Sequence, residues 1–241
     1  ENRLPASYVY NAKKDSQKID LFLSNSTFFT QLIRDSFWYQ GKVLESGFPR
    51  NDIILATNIE LRNKITTHFS IDDQKKIVLY APTFRAHDKL NIYNIDVNTC
   101  LDSLTARFGG EWIFMVRFHP NVQNLPFDIL NNENVINVTF YDDLQELLNV
   151  VDVVITDYSS LMFDFALTRR PVFIYAPDID DYKNDGDFYF AFDQLPFPLS
   201  ENNEMLSNNI RQFNENIYVE NVNIFFEKIG CKESGNASKI V

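Results

Sequence analysis

Three polar clusters in this 241-residue chain combine residue types suited to holding an anion or moving a phosphoryl group. The first is Ile155-Thr156-Asp157-Tyr158-Ser159-Ser160-Leu161-Met162, where an apolar run turns through small hydroxyl residues into a helical pattern. Backbone N–H groups at a helix start have no internal partner, and the macrodipole is positive there, so Ser159 and Ser160 make a seat for a phosphate. Serine is equally a preferred N-cap with no ligand present, so both readings stand. The second cluster is Arg117-Phe118-His119-Pro120, in which Pro120 confines His119 to an extended backbone. An imidazole there can donate to a phosphate oxygen or serve as acid toward a leaving phosphate, and a structural histidine is the plainer alternative. Arg117, two residues earlier, is expected on the same face as His119, as a second positive group or in a buried salt bridge.

The third cluster is Pro82-Thr83-Phe84-Arg85, whose guanidinium is the natural group for bidentate phosphate contact. Arg50, in Gly47-Phe48-Pro49-Arg50-Asn51-Asp52, offers the same chemistry, and both have the alternative of a surface arginine. Asp178, Asp180 and Asp181 contain an Asp-x-Asp spacing. One short carboxylate spacing is weak support for a metal site, so a solvated acidic loop is expected and no metal ligand set is assigned.

These residues need a frame. The chain alternates short apolar, β-branched runs with amphipathic stretches, the pattern of βα units on a parallel sheet. Strands are expected at 77–81, 112–118, 135–138, 153–156 and 172–175, with helices near 99–108, 144–150 and 161–167. Apolar on both faces, such strands belong between helix layers. Ligands of open parallel sheets bind outside the carboxyl ends of the strands, and Arg85, His119, Asp157 and Asp178 each follow one. An earlier βαβ portion is expected from 19–23, 27–38 and 42–44, and a polar segment at 62–75 separates it from the main block. Helical patterns return at 201–213 and 222–229, before a polar tail at 233–241. The expected division is 1–66, too little for a whole domain, and 67–241, a Rossmann-like domain with closing helices.

Composition narrows the function classes. Lys and Arg total 22 against 33 Asp and Glu, a net charge of −11, so no nucleic-acid partner is expected and an anionic ligand must meet local positive groups. Cys100 and Cys231 lie far apart without ligand spacing, which disfavours a disulfide framework or zinc site and suits a reducing compartment. No apolar run approaches the roughly 18 residues of a spanning helix, and the first residues do not form a signal peptide. A cytoplasmic chain with at most peripheral membrane contact is expected. Neither a Gly-x-Gly-x-x-Gly nor a Walker loop occurs among only 7 glycines, so dinucleotide and ATP sites lack their usual support.

Taken in order, Gly47-Phe48-Pro49-Arg50-Asn51-Asp52, Tyr80-Ala81-Pro82-Thr83-Phe84-Arg85, Arg117-Phe118-His119-Pro120, Asp152–Ser160, Phe163-Asp164-Phe165-Ala166 with Arg170-Pro171, and Gly235-Asn236-Ala237-Ser238 resemble a known family. It is the CDP-glycerol:poly(glycerophosphate) glycerophosphotransferases, which build teichoic acids and related capsular polymers. The resemblance implies an α/β, GT-B-like fold of Rossmann-type domains, with the donor held mainly by the C-terminal one. It implies transfer of a polyol phosphate from a CDP-linked donor to a hydroxyl of a growing chain, with release of CMP. His119, Ser159 and Ser160 would contact the donor phosphates, with Thr83, Arg85 and Asp157 beside them and Arg117, Arg50 and Asp181 as further candidates. The acceptor of such enzymes is a polyol-phosphate or polysaccharide chain, commonly lipid-linked at the inner face of the bacterial membrane, and Mg²⁺ is left open.

Two departures accompany the resemblance. The family's N-terminal Trp-His-Gly-Thr-Pro-type motif, whose histidine is regarded as the base, has no counterpart here, which implies that most of the N-terminal domain lies outside this sequence. Where many members carry Arg-Gly before Phe-Tyr, this chain has Asp185-Gly186-Asp187-Phe188-Tyr189, so the CDP-alcohol is open between glycerol, ribitol and others. A GT-B glycosyltransferase using a UDP- or CMP-sugar, and a non-catalytic nucleotide-binding module, are the alternative functions.

Overall fold

The computed structural model describes residues 5–85, 93–120, 122, 127–180 and 188–241. They form two compact units, one of residues 1–56 with 223–241 and one of residues 57–222. The sequence division at 66 and 67 falls within a helix of the second unit.

The first unit carries α1 (Ala6–Ser16), β1 (Leu21–Ser24), α2 (Thr27–Asp35), β2 (Lys42–Glu45) and α3 (Pro49–Leu55). β1 and β2 pair in parallel, joined by α2 as a βαβ crossover. Ser26 starts α2 by accepting from the Phe29 N–H at 3.1 Å, the standard N-cap bond. Pro49 begins α3, where its missing N–H costs nothing.

The second unit holds α4 (Ile59–His68), β3 (Lys76–Ala81), α5 (Val97–Phe108), β4 (Trp112–Val116), α6 (Phe127–Leu130), β5 (Val135–Asn137), α7 (Leu144–Val150), β6 (Val153–Thr156), α8 (Leu161–Ala166), β7 (Val172–Tyr175), β8 (Leu199–Ser200) and α9 (Asn203–Arg211). Its sheet runs β5-β4-β3-β6-β7-β8, every neighbouring pair parallel. Numbered within this unit the order is 3-2-1-4-5-6, the doubly wound Rossmann arrangement, whose switch point lies between β3 and β6. Along β4, β6 and β7 every residue is buried, so both faces of the sheet are covered, as the apolar runs require. Asn58, Asp96, Asp143 and Asn202 cap α4, α5, α7 and α9 through their side chains, which fixes where each crossover turns.

One expectation changes, and one motif finds its place. The segment read as a polar separator contains α4, whose buried residues are Leu61, Ile65 and Thr66. Arg170 donates to the carbonyls of Leu148, Asn149 and Val151 and so closes the C-terminus of α7. Burial pulls its guanidinium down to about 10, so the Arg170-Pro171 motif serves the scaffold.

A last long helix, α10 (Glu215–Lys228), returns the chain to the first unit, where α11 (Ala237–Ile240) ends the structure. The Glu233 carboxylate accepts from Phe48 N–H at 3.2 Å and Asn51 Nδ2 at 2.8 Å, while Asp52 accepts from the N–H groups of Ala237 and Ser238 at 2.9 and 2.7 Å. Each segment therefore places a carboxylate on the other's helix start. Gly47 sits at φ 81°, where a side chain would be strained, and a Cβ there would also push against the Glu233 carboxylate at 2.6 Å.

Candidate functional site

The carboxyl ends of β3 and β6 flank the switch point, and three of the sequence clusters meet around it. Thr156 Oγ1 ties the strands together by donating to the Ala81 carbonyl at 2.7 Å. Beyond them, Asp157 Oδ1 accepts from the Thr83 N–H at 2.8 Å, the Thr83 hydroxyl at 2.6 Å and the Tyr158 N–H at 2.6 Å. The β3 and β6 loops are thus locked by one carboxylate. From the neighbouring β4, the His119 ring lies 5.2 Å from that of Phe84. His119 is exposed and Thr83 partly so.

Arg85 occupies the centre of this edge, with its charge already committed. Its Nη2 donates to Asp157 Oδ2 at 2.9 Å, Nε and Nη2 engage Asp178 at 2.9 and 3.2 Å, and Nη1 reaches the Thr83 carbonyl at 2.7 Å. Side-chain exposures of 10% for Arg85, 3% for Asp157 and 7% for Asp178 mark a buried charge cluster. Burial opposes the Arg85 charge, but the bonds and charges of Asp178 and Asp157 outweigh it and hold the group protonated beyond its ordinary range. Burial likewise works against ionising Asp178, and the Arg85 bond and charge, with the Tyr158 hydroxyl, overcome it and lower its carboxyl below the ordinary value.

Asp178 corrects one expectation: it is a buried partner of Arg85 and no part of a solvated acidic loop. Nothing in its own spacing signals this, because pairing requires β7 to lie beside β6, and strand order is written in the packing. Tyr158 and Tyr93 were also missed as members of the edge. The Tyr158 hydroxyl donates to Asp178 Oδ1 at 2.9 Å, and the Tyr93 hydroxyl donates to the Thr83 carbonyl at 3.3 Å. For Tyr158, its position just after β6 was the available signal; Tyr93, twelve residues beyond β3, offered none.

Ser159 and Ser160 follow directly. The Ser159 hydroxyl accepts from the Leu161 N–H at a long 3.4 Å, and Ser160 begins α8 without a side-chain cap bond. Ser159 thus makes a long cap-type contact and Ser160 makes no side-chain cap bond, so the capping alternative that residue type allowed stands for Ser159 alone. The remaining candidates lie elsewhere. Arg117 donates to the Val138 and Tyr141 carbonyls at 3.1 and 2.6 Å, bracing the loop after β5, and burial lowers its pKa. Arg50 belongs to the first unit, its guanidinium 4.5 Å from the Phe48 ring centroid. Asp181 lies outside the described residues.

A 3-2-1-4-5-6 parallel sheet with polar side chains gathered at its switch point defines a protein of the doubly wound α/β class. Within that class the chain belongs to the CDP-Glycerol:Poly(glycerophosphate) glycerophosphotransferase family, whose sequence model matches residues 1–241. It is 34% identical over 200 residues to a teichoic acid poly(glycerol phosphate) polymerase of Staphylococcus epidermidis, covering 80% of this chain and 28% of that one. A protein of the same description from Bacillus spizizenii is 34% identical over 202 residues, 82% of this chain and 51% of the relative. Among solved structures, the wall teichoic acid polymerase TagF matches at a TM-score of 0.80 with 30% identity, over 99% of this chain and 60% of that one. A variant of that polymerase soaked with CDPG matches equally, with a TM-score of 0.80 and 30% identity over 99% of this chain and 60% of that one. The chain thus spans between about a quarter and three-fifths of these proteins. The fold is that expected, an α/β GT-B-like protein with a parallel sheet between helices.

Proposed function

We propose that this chain is the donor-binding part of an enzyme that transfers a polyol phosphate from a CDP-linked alcohol to a hydroxyl of a growing teichoic-acid or capsular polymer. The acceptor oxygen attacks the phosphorus that carries the polyol. A new P–O bond forms, the bond to the bridging oxygen breaks, CMP leaves, and the hydroxyl proton passes to a base. Such a transfer rests on positioning and on charge neutralisation at the phosphates.

The observation that carries the reading is the convergence of Thr83, His119 and Ser159–Ser160 at the switch point of a chain matched by the family from end to end. In this reading His119 donates to the donor diphosphate and protonates the departing CMP, and Ser159 and Ser160 hold the phosphate oxygens. Arg85, Asp157 and Thr83 set the shape of the edge, since Arg85 spends its donors on two aspartates and a carbonyl. Arg117, Arg50 and Asp181 have supporting roles at most, and residues 1–56 belong to an N-terminal Rossmann-like domain that carries the base. The acceptor is lipid-linked, and the protein works at the inner face of the bacterial membrane by peripheral contact. Among the described residues no helix is long and apolar enough to cross one.

Calorimetric titration of this chain with CDP-glycerol, CDP-ribitol, CDP, CMP and UDP, with and without Mg²⁺, tests the assignment. Selective binding of a CDP-alcohol supports it and names the polyol. A site that prefers UDP or ignores the base points to a sugar transferase.

A further inference from the structure

The Ser159 and Ser160 carbonyls accept from the Met162 and Phe163 N–H groups at 3.3 and 3.0 Å, but side chains hold this turn to its helix only weakly. α8 has no side-chain cap on Ser160, and its one hydroxyl contact, from Leu161 N–H to Ser159, is long at 3.4 Å. What fixes the turn lies just before it. Tyr158 gives its N–H to Asp157 at 2.6 Å and its hydroxyl to Asp178 at 2.9 Å. The Arg85 guanidinium sits 4.7 Å from the centroid of the Tyr158 ring. Phe188 and Phe192 pack against the same ring at 5.6 and 5.8 Å, and against each other at 4.9 Å. One side chain is thereby held by the loops after β3 and β7 and by an aromatic segment. The N–H and the ring of the residue that launches Ser159 are thus both fixed by partners outside its own helix.

We infer that Tyr158, anchored by Asp178, is a positioning residue for the donor diphosphate: it sets the direction in which Ser159 and Ser160 present their hydroxyls and N–H groups. This rests on the donor-site reading above. A group that acts by aiming phosphate donors affects ligands according to how many phosphates they bring to the turn, whereas a general scaffold role affects all ligands alike. The distinction can be measured, because CDP carries one phosphate more than CMP.

Tyr158→Phe keeps the ring, its arginine stack and its Phe188 contact, and removes the hydroxyl bond to Asp178. Asp178→Asn weakens both that bond and the pairing with Arg85. CDP and CMP affinities are measured by calorimetry on wild type and both variants, alongside the thermal midpoint. For Tyr158→Phe, we expect CDP affinity to fall about three- to tenfold, the worth of one hydrogen bond, with CMP affinity changed less than about twofold. Asp178→Asn should shift the CDP-to-CMP ratio further in the same direction. Equal losses for CDP and CMP, or no loss in folded Tyr158→Phe, overturn the inference while leaving the donor site standing. Wild-type protein that binds neither nucleotide overturns the donor-site reading, and this inference with it.

Discussion

At the carboxyl ends of β3, β6 and β7, Asp157 and Asp178 are buried and share one guanidinium, whereas in the first unit Glu233 and Asp52 are only half-buried and accept backbone N–H groups at helix starts. Both arrangements join segments distant in sequence with carboxylates. They differ in what happens when a partner is removed. Water can replace a lost bond at a half-buried helix start, so the cost is a cap's worth of stability. In the buried cluster an unpaired charge remains in a poorly solvated place. The contrast explains why Arg85, suited by type to a phosphate, serves here as the pin of a rigid edge; in the proposed reading, phosphate contact falls instead to His119, Ser159 and Ser160.

The largest expected effect tests the buried half of this contrast. Arg85→Met leaves two buried aspartates without their cation and should cost about 3–5 kcal/mol in urea unfolding. A loss below about 1 kcal/mol would show the cluster to be solvated. Asp52→Ala, and separately Glu233→Ala, should each cost about 1 kcal/mol, the usual worth of a helix cap, with the same m-value. A loss as large as that of Arg85→Met would erase the distinction between the two regions.

Acid should also act on the cluster. Asp178 has its folded carboxyl held below the ordinary value of 3.8, so the unfolded chain binds this proton first as pH falls. Its contribution is complete above that value and declines as pH drops through the lower, folded one. Unfolding measured between pH 6 and 2.5 should show this decline in wild type and a flatter curve in Asp178→Asn. The smallest effect concerns the cysteines. Burial raises the Cys100 thiol, so Cys100 should resist thiol reagents in the native state, while the less buried Cys231 reacts first, as peptide mapping after brief alkylation would register.

Much of the second unit could be read before its structure was known, because the runs that form β3, β4, β6 and β7 are apolar on both faces and give way at Pro82, His119-Pro120, Asp157 and Pro177, although β4 itself already stops at Val116. The weakly patterned elements were harder. α1 buries no residue and so has no apolar stripe to betray it, α4 buries only three, and β8 is two residues long. At the site, residue type and position after a strand singled out Thr83, Arg85, His119, Asp157 and the serine pair. Asp178 and Tyr158 needed the order β3-β6-β7, since only adjacency brings one carboxylate within reach of both Arg85 and a tyrosine from the next loop.

The central claim, that His119 and the Ser159–Ser160 turn hold the donor diphosphate, is most directly tested by calorimetric titration of CDP-glycerol into wild type, His119→Ala and Ser160→Ala. His119 and Ser160 are both exposed, so these truncations should leave folding intact. The account predicts affinity at least about tenfold weaker in each variant, as expected when a hydrogen bond to a charged group is lost, with thermal midpoints unchanged. Wild-type affinity in both variants would contradict it.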